Sequence, residues 1–219
     1  MTFRSIALTT ILAATSTGAN AEFYLRGHML LTNLADDSDS EVILNALPAG
    51  SVDTRFDSGL GFGGGVGWVF GQRWRAEAEF GYLSAGVDQA RVGAEFTADG
   101  DNFASTGLGV NVLYHFNDDV AGRQGFSPYV GIGLVFLNEI DIDLEGTGVG
   151  GAFEDLEGDD VAPQLILGVN RGLGDRWSVG GELRYLAGGG VDLANDTAAI
   201  RDINYTSVNA GVTLTYWFD

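Results

Sequence analysis

The sequence predicts an all-β protein, an eight-stranded antiparallel transmembrane β-barrel, and three observations carry that prediction. Residues alternate in character with a period of two over one stretch after another, as strands with two unlike faces require. The bulky face of each stretch is apolar while the other carries glycine and charge, the reverse of a soluble barrel that keeps its bulk inside. The connections between stretches are by turns short and long, so that all the long ones fall at one end.

The clearest stretch runs from Gly59 to Leu83, reading GLGFGGGVGWVF, then GQR, then WRAEAEFGYL. Leu60, Phe62, Gly64, Val66, Trp68 and Phe70 alternate with Gly59, Gly61, Gly63, Gly65 and Gly67. Across Gly71-Gln72-Arg73, Trp74, Ala76, Ala78, Phe80 and Tyr82 alternate with Arg75, Glu77, Glu79 and Gly81. Two such runs around a tight connection form a β-hairpin. Trp68, Phe70 and Trp74 crowd the turn as in the interfacial girdle of a membrane barrel. The glycine row suits the opposite face, because a narrow lumen has room for Arg and Glu from neighbouring strands only where one strand lacks side chains. Taken alone, the hairpin also fits a glycine-rich strand in a soluble sandwich, and the other strands decide between the two.

The chain has 219 residues with no cysteine, and its eleven basic residues, all arginine, face thirty acidic ones for a net charge of −19. Residues 1–21 read as a secretory signal peptide: Arg4, an apolar run from Ile6 to Ala14, and Ala19-Asn20-Ala21, with cleavage between Ala21 and Glu22. That apolar run is too short to span a membrane as a helix. The expected division is therefore signal peptide 1–21 and barrel domain 22–219. Without cysteine there is no disulfide scaffold despite export. So acidic a chain repels nucleic acid, which is excluded as a partner.

The first strand spans Glu22 to Leu31, with Phe23, Leu25, Gly27, Met29 and Leu31 outward and Tyr24, Arg26, His28 and Leu30 toward the lumen. Residues 32–54 form the first long loop, the hairpin supplies strands two and three, and 84–103 is the second loop. Strand four covers Thr106 to Phe116, with Leu108, Val110, Val112, Tyr114 and Phe116 outward and Gly107, Gly109, Asn111 and His115 inward. A turn around Asn117 to Gly125 leads to strand five, Tyr129 to Leu137, and 138–160 is the third and most acidic loop. Strand six sets Leu165, Leu167 and Val169 against Gln164, Gly168 and Asn170. After the turn Gly172 to Arg176, strand seven points Trp177, Val179, Leu183 and Tyr185 out and Ser178, Glu182 and Arg184 in. Residues 187–203 are the fourth loop, and strand eight alternates Val208, Ala210, Val212, Leu214, Tyr216 and Phe218 with Ser207, Asn209, Gly211 and Thr213. Short periplasmic turns and four long extracellular loops are the asymmetry of bacterial outer-membrane barrels. A soluble lipocalin-like barrel would have to fit the Trp, Phe and Leu of eight strands into one narrow lumen.

An internal repeat runs through the pattern. Gly71-Gln72-Arg73-Trp74 matches Gly174-Asp175-Arg176-Trp177, and Glu79-Phe80 with Tyr82-Leu83 matches Glu182-Leu183 with Tyr185-Leu186. The copies fall on strands three and seven, each with a Trp at the interface and a Glu inside at equal depth. Similar strands under one membrane constraint could also arise without a duplication.

The segments FSPYVGIGLVF, LYHF, RWSVGGELRYL and GVTLTYWF resemble the small bacterial outer-membrane β-barrel proteins of the OmpA-like and opacity-protein type, over nearly all of residues 22–219. That resemblance implies a Gram-negative outer membrane, contact with outer-membrane lipid and lipopolysaccharide, and a final aromatic strand read by the insertion machinery. The sequence departs from the family in ending on Asp219 after Phe218. No segment follows the last strand, so the peptidoglycan-binding domain of full-length OmpA proteins is not expected.

Catalytic chemistry is not expected. There is no G-x-S-x-G, phosphate-cradling glycine loop or H-E-x-x-H, and neither His28 nor His115 is followed by a serine placed to pair with it. Inward Glu77, Glu79 and Glu182 would suit acid–base work, but inward Arg26, Arg75 and Arg184 make a satisfied ionic network the better reading, since a charge in a narrow lumen needs a partner. Trp68, Phe70, Trp74, Phe116, Trp177, Tyr216 and Phe218 form the aromatic girdle. No cofactor or EF-hand is expected: counting from Asp141, the twelfth position is Ala152 where a Glu is required. Asp141, Asp143 and Glu145 are the nearest to a looser divalent-cation site in the acidic loops. The expected role is structural or surface-exposed, in envelope integrity and surface contacts through acidic loops around a narrow filled lumen, with a small-solute or ion channel as the alternative. From the resemblance, Phe218→Ala should lower the amount of protein reaching the outer membrane; unchanged levels in fractionated membranes would place the insertion signal elsewhere.

Overall fold

The structure, a computed structural model, describes residues 22–45, 47–92, 96–98, 101–143 and 156–218. The expected signal peptide, with Ala21, lies outside the described residues, and so do Glu145 and Asp219. The described chain is one antiparallel sheet of thirteen strands. They are β1 (Phe23–Leu34), β2 (Asp37–Leu44), β3 (Leu47–Phe56), β4 (Gly59–Phe70), β5 (Trp74–Val92), β6 (Phe96–Ala98) and β7 (Asp101–His115). They continue with β8 (Phe126–Asp143), β9 (Leu156–Gly172), β10 (Trp177–Ala187), β11 (Val191–Ala194), β12 (Ala198–Ile203) and β13 (Thr206–Trp217).

Followed along its hydrogen-bonded partners, the sheet returns to its start. β1 pairs with β4, β4 with β5, β5 with β7, β7 with β8, β8 with β9, β9 with β10, β10 with β13, and β13 with β1. These strands contain the stretches in which the sequence alternates, and their outward and inward residues follow that alternation. Phe23, Leu25, Met29, Leu60, Phe62, Phe80, Leu108, Ile132, Leu165, Leu183, Val212 and Leu214 stand exposed on the outside. Tyr24, Arg26, Glu77, Asn111, Tyr129, Gln164, Glu182 and Thr213 are buried on the inside.

The expectation of four long loops is corrected. Residues 32–54, 84–103, 138–160 and 187–203 contribute β2, β3, β6, β11 and β12 and the far ends of β1, β5, β7, β8 and β9. A second circuit of pairings results: β5 with β3, β3 with β2, β2 with β12, β12 with β11, and β11 with β9, closed by the upper parts of β7 and β8. Where β4 ends opposite Ser84, β3 takes over as the partner of β5 near Val87. The wall thus continues as a second storey.

Polarity inverts between the storeys. In the upper one Glu41, Asp53, Arg55, Asp88, Glu157, Asp192 and Arg201 face outward. Inside, Leu34, Val42, Val52, Val87, Phe103, Ile140, Leu156, Leu193, Ile200 and Tyr205 pack into one apolar cluster. This is the ordinary arrangement of a sheet in water, polar out and apolar in. Tyr205 shares a 2.8 Å hydrogen bond with Ser105, and its burial pushes the phenol up to about 12. The upper storey was hidden by register shifts at Val42/Ile43, Arg55/Phe56 and Leu137/Ile140, which break the period of two.

The turn end is closed from within. Gly71–Arg73 and Leu173–Arg176 are short, but residues 117–125 fold back across the opening. Val120 and Ala121 are buried there with Tyr24, Val69 and Trp217. Asn170 donates to the Val120 carbonyl at 3.0 Å, and the Gly172 N–H donates to the Gly122 carbonyl at 2.8 Å. Arg123 ties the segment to the start of the barrel through Glu22 and to the next turn through the Asp175 carbonyl at 2.9 Å.

Glycines in β4 let its neighbours close over it. A Cβ at Gly65 would strike the Ala78 carbonyl and come within 2.8 Å of the Glu79 Cα, whereas one at outward Gly27 would meet nothing nearer than 3.9 Å. Gly65→Ala should therefore destabilise the sheet by about 1–3 kcal/mol, as overpacking does, while Gly27→Ala should stay within about 0.5 kcal/mol. Denaturant unfolding in detergent micelles checks this, and equal midpoints for the two variants would contradict the close approach.

Candidate functional site

Arg26 on β1, Arg75, Glu77 and Glu79 on β5, and Glu182 and Arg184 on β10 are inward by the alternation of their strands. The register sets glycine beside the carboxylates. Glu79 stands between Gly65 and Gly109, and Glu182 between Gly211 and Gly168. Arg26 has Gly65 on one side. With no side chains in these neighbouring positions, the charged groups lean across the lumen and meet.

They meet as one chain of alternating sign: Arg75, Glu77, Arg26, Glu182, Arg184, Glu79. The Arg75 and Glu77 charges are 3.1 Å apart. Arg26 Nη1 donates to both Glu77 oxygens at 3.0 Å, and its Nη2 donates to Glu182. Arg184 Nε donates to Glu182 at 3.0 Å, and its two terminal nitrogens clasp Glu79 at 2.7 and 3.1 Å. The bidentate fork of arginine on a carboxylate is the strongest geometry such a pair has. Three arginines balance three glutamates, so the −19 of the chain resides outside this site.

Neutral groups complete it. Tyr24 donates to Glu77 at 2.7 Å and Tyr129 to Glu182 at 2.6 Å, while Arg26 also donates to Tyr129 at 3.0 Å. The Arg75 guanidinium lies between the rings of Tyr24 and Tyr129, 5.1 and 4.9 Å from their centroids, in range of cation–π attraction on both sides. Gln164 donates to Glu79 at 3.3 Å and to Asn111 at 2.7 Å. The space left among Tyr24, Arg26, His28, Glu77 and Glu79 admits no water molecule. Each carboxylate is engaged by arginine, and the charged side chains lie packed across the lumen at this level.

The histidines stand at its margins. His28 lies 3.9 Å from Glu79. Contrary to the reading of the sequence, His115 does have a serine partner: Ser127, across the turn between β7 and β8, is 2.7 Å from its Nδ1. Ser127 in turn donates to Asn117 at 2.9 Å, so its oxygen accepts from His115. Both residues are fully buried, and among the described residues no carboxylate bonds to the ring, which lies 4.9 Å from the Tyr129 ring at a tilt of 32°. Asp141 and Asp143 fall on β8, not in a loop, with their side chains outside the described residues; among the described residues no cluster of His, Asp or Glu is placed to hold a metal.

Phe70, Trp74, Phe116, Trp177 and Phe218 are exposed at the turn end, with Trp68 and Tyr216 half-buried beside them. Neighbouring rings touch: Phe70 on Trp74, Trp74 on Tyr114, Trp177 on Tyr216, and Tyr216 on Phe218. Tyr24, Tyr129, Gln164 and the plug residues Val120, Ala121 and Trp217 were not singled out from the sequence. Inward position alone could have marked the two tyrosines; nothing local marks the plug.

The profile of the outer membrane protein beta-barrel domain family matches residues 5–216. Comparison with curated proteins returns no match. Among solved structures, the chain is similar to the outer membrane protein OprG of Pseudomonas aeruginosa, with a TM-score of 0.66, 16% identity, and coverage of 90% of this chain and 96% of that one. It is also similar to Neisserial surface protein A, with a TM-score of 0.55 and 14% identity over 91% of this chain and all of that one. Outer membrane protein AlkL in lipid bilayers gives a TM-score of 0.55 and 15% identity, with 97% of each chain covered.

The paired charges make a double-mutant cycle informative. Arg184→Met or Glu79→Gln alone leaves a buried partner uncompensated and should cost about 3–5 kcal/mol. Together they should cost at least about 1 kcal/mol less than the sum of the single effects. Strict additivity in denaturant unfolding would mean that the two groups do not act as a pair.

Proposed function

The chain belongs to the outer membrane protein beta-barrel domain family, and from that premise we propose an eight-stranded transmembrane barrel with a closed lumen and a structural, surface-exposed role. The family and its structural neighbours put the chain in the outer membrane of a Gram-negative bacterium. The observation that carries the proposal is the filling of the interior at three levels. Val120 and Ala121 occupy the turn end, the alternating charges the middle, and the apolar cluster the upper storey. An eight-stranded ring leaves only enough interior for its own side chains.

The apolar outer face of the lower storey is the part in contact with lipid, with the aromatic girdle at the periplasmic interface and the upper storey standing in water beyond the opposite headgroups. Lipopolysaccharide surrounds that junction. The acidic outer face of the upper storey then serves surface contacts and repels anions, with divalent cations as candidate bridges to neighbouring headgroups. The insertion machinery reads the last strand, where outward Tyr216 and Phe218 flank inward Trp217.

Two measurements test the proposal. The folded protein should migrate differently on gels before and after heating, as a compact barrel does. In planar bilayers it should give no discrete conductance steps. Regular steps from the unmodified protein would replace the structural role with solute or ion passage.

A further inference from the structure

The segment that closes the turn end is knotted within itself. The Asp119 carboxylate accepts from the Arg123 N–H at 2.9 Å and from the Gln124 N–H at 2.5 Å, and the Asp119 carbonyl accepts from the Gly122 N–H at 3.0 Å. Asn117 fixes the base, donating to the Phe126 carbonyl at 3.0 Å and accepting from Ser127. Gly122 turns the chain at a φ of 72°, where a Cβ would also strike the Asn170 carbonyl. Residues 118–124 are therefore one compact unit on a fixed base.

Little holds that unit down. Of its residues only Val120, Ala121 and Gly122 are buried, which brings two small apolar side chains against Tyr24, Val69 and Trp217. Two of its carbonyls accept from Asn170 and from the Gly172 N–H. The remaining ties run along the rim: Arg73 to Asp118, and Arg123 to Glu22 and to the Asp175 carbonyl. Both ion pairs are partly exposed, and such pairs contribute little and are weakened by salt. Arg123 reaches furthest, because its guanidinium also lies 5.9 Å from the centre of the Trp217 ring. One side chain thus joins the unit to the start of β1, to the turn before β10 and to the last strand.

Behind the unit stand two groups that closure leaves incomplete. Arg75 and His115 are fully buried, and both pack on the Tyr129 ring, with Arg75 also on the Tyr24 ring that the unit covers. Arg75 has its ion contact to Glu77, yet its Nε and both terminal nitrogens make no hydrogen bond among the described residues, and neither does His115 Nε2. Buried donors and acceptors without bonds disfavour the state that keeps water from them. Lifting the unit hydrates them and so offsets part of the contact it loses. Few apolar contacts and solvent-exposed ties are the marks of a segment that opens locally. We propose that residues 118–124 are a lid, latched by Arg123, which lifts from the turn end and admits water to Arg75 and His115. The rest of the ionic chain, from Glu77 to Glu79, keeps the lumen shut behind it. The lid rests on the fold and needs no membrane orientation.

The chain has no cysteine, so Ala121→Cys gives a single thiol on the covered side of the lid. The full mature chain, folded in detergent, is treated with a small water-soluble maleimide, and labelling is followed by mass spectrometry. The thiol should react slowly while Arg123 is in place. Adding Arg123→Gln should speed the reaction by roughly tenfold, the factor that matches loss of one charge-assisted hydrogen bond. High salt should speed the protein with Arg123 more than the one without, because it screens the pair with Glu22. Ala162→Cys, in the apolar cluster of the upper storey, should stay unlabelled in both backgrounds, which separates lifting of the lid from unfolding of the barrel. Gel migration before and after heating shows that each variant is folded. An Ala121→Cys thiol that never reacts would overturn the lid, and equal rates with and without Arg123→Gln would overturn the latch. Labelling of Ala162→Cys at the same rate would overturn both. Conductance steps in planar bilayers would overturn the closed lumen and leave the lid standing, so the two readings fail separately.

Discussion

Closure governs this molecule. A strand in hydrocarbon has nowhere to satisfy its N–H and C=O groups except in another strand, and each unsatisfied group costs several kcal/mol. The pairings from β1 around to β13 and back remove every edge from the lower storey. With the backbone taken care of, side chains are free to answer their two surroundings separately. Leucine, phenylalanine and valine line the outside, and the narrow inside is left to whatever can fill it without water.

The same circuit continues into the second storey with different members. β5, β7, β8 and β9 pass through both, while β2, β3, β11 and β12 replace β1, β4, β10 and β13. Because the inside is apolar above and ionic below, the polarity of both faces changes along a single strand, at the level where the proposed orientation has the water boundary. On β5, Phe80 faces outward and Glu79 inward, whereas a little further on Asp88 faces outward and Val87 inward.

This inversion explains what could be read from the sequence. The strands of the lower storey were legible because bulky outward residues and glycine or charge inward make a strong period of two, as in Leu60 to Phe70 against Gly59 to Gly67. The charged residues of the lumen were legible for the same reason: alternation puts Arg26, Glu79 and Glu182 inward wherever the lipid face is apolar. Their partners were legible in part. Strand order and the glycine row point to Arg26 meeting Glu77 or Glu79, and the structure does join Arg26 to Glu77; it adds Glu182 as a second partner and gives Glu79 to Arg184. Which strand faces which across the lumen depends on the stagger of the whole ring, and no local pattern encodes that. The upper strands were missed because Asp, Ser and Gly at their outward positions look like loop composition, and bulges shift the apolar positions out of phase.

An ionic lumen needs a reason, because well-packed apolar residues in place of a buried ion pair are often as stable or more so. Register supplies one. Neighbouring strands are held by backbone hydrogen bonds that are nearly the same after a slip, although a slip by one residue turns every side chain to the wrong face. A circuit of many such pairings multiplies the chances of closing out of step. The charged chain spans strands that are not neighbours. β1 and β5 are separated by β4, β1 and β10 by β13, and Arg184 reaches Glu79 from β10 to β5. A slip in any one of these pairings would leave an arginine or glutamate buried without its partner, at several kcal/mol. Apolar side chains would tolerate the same slip by repacking. The alternating chain therefore works as a set of cross-braces that penalise misregistered closure, six residues tying β1, β5 and β10 together.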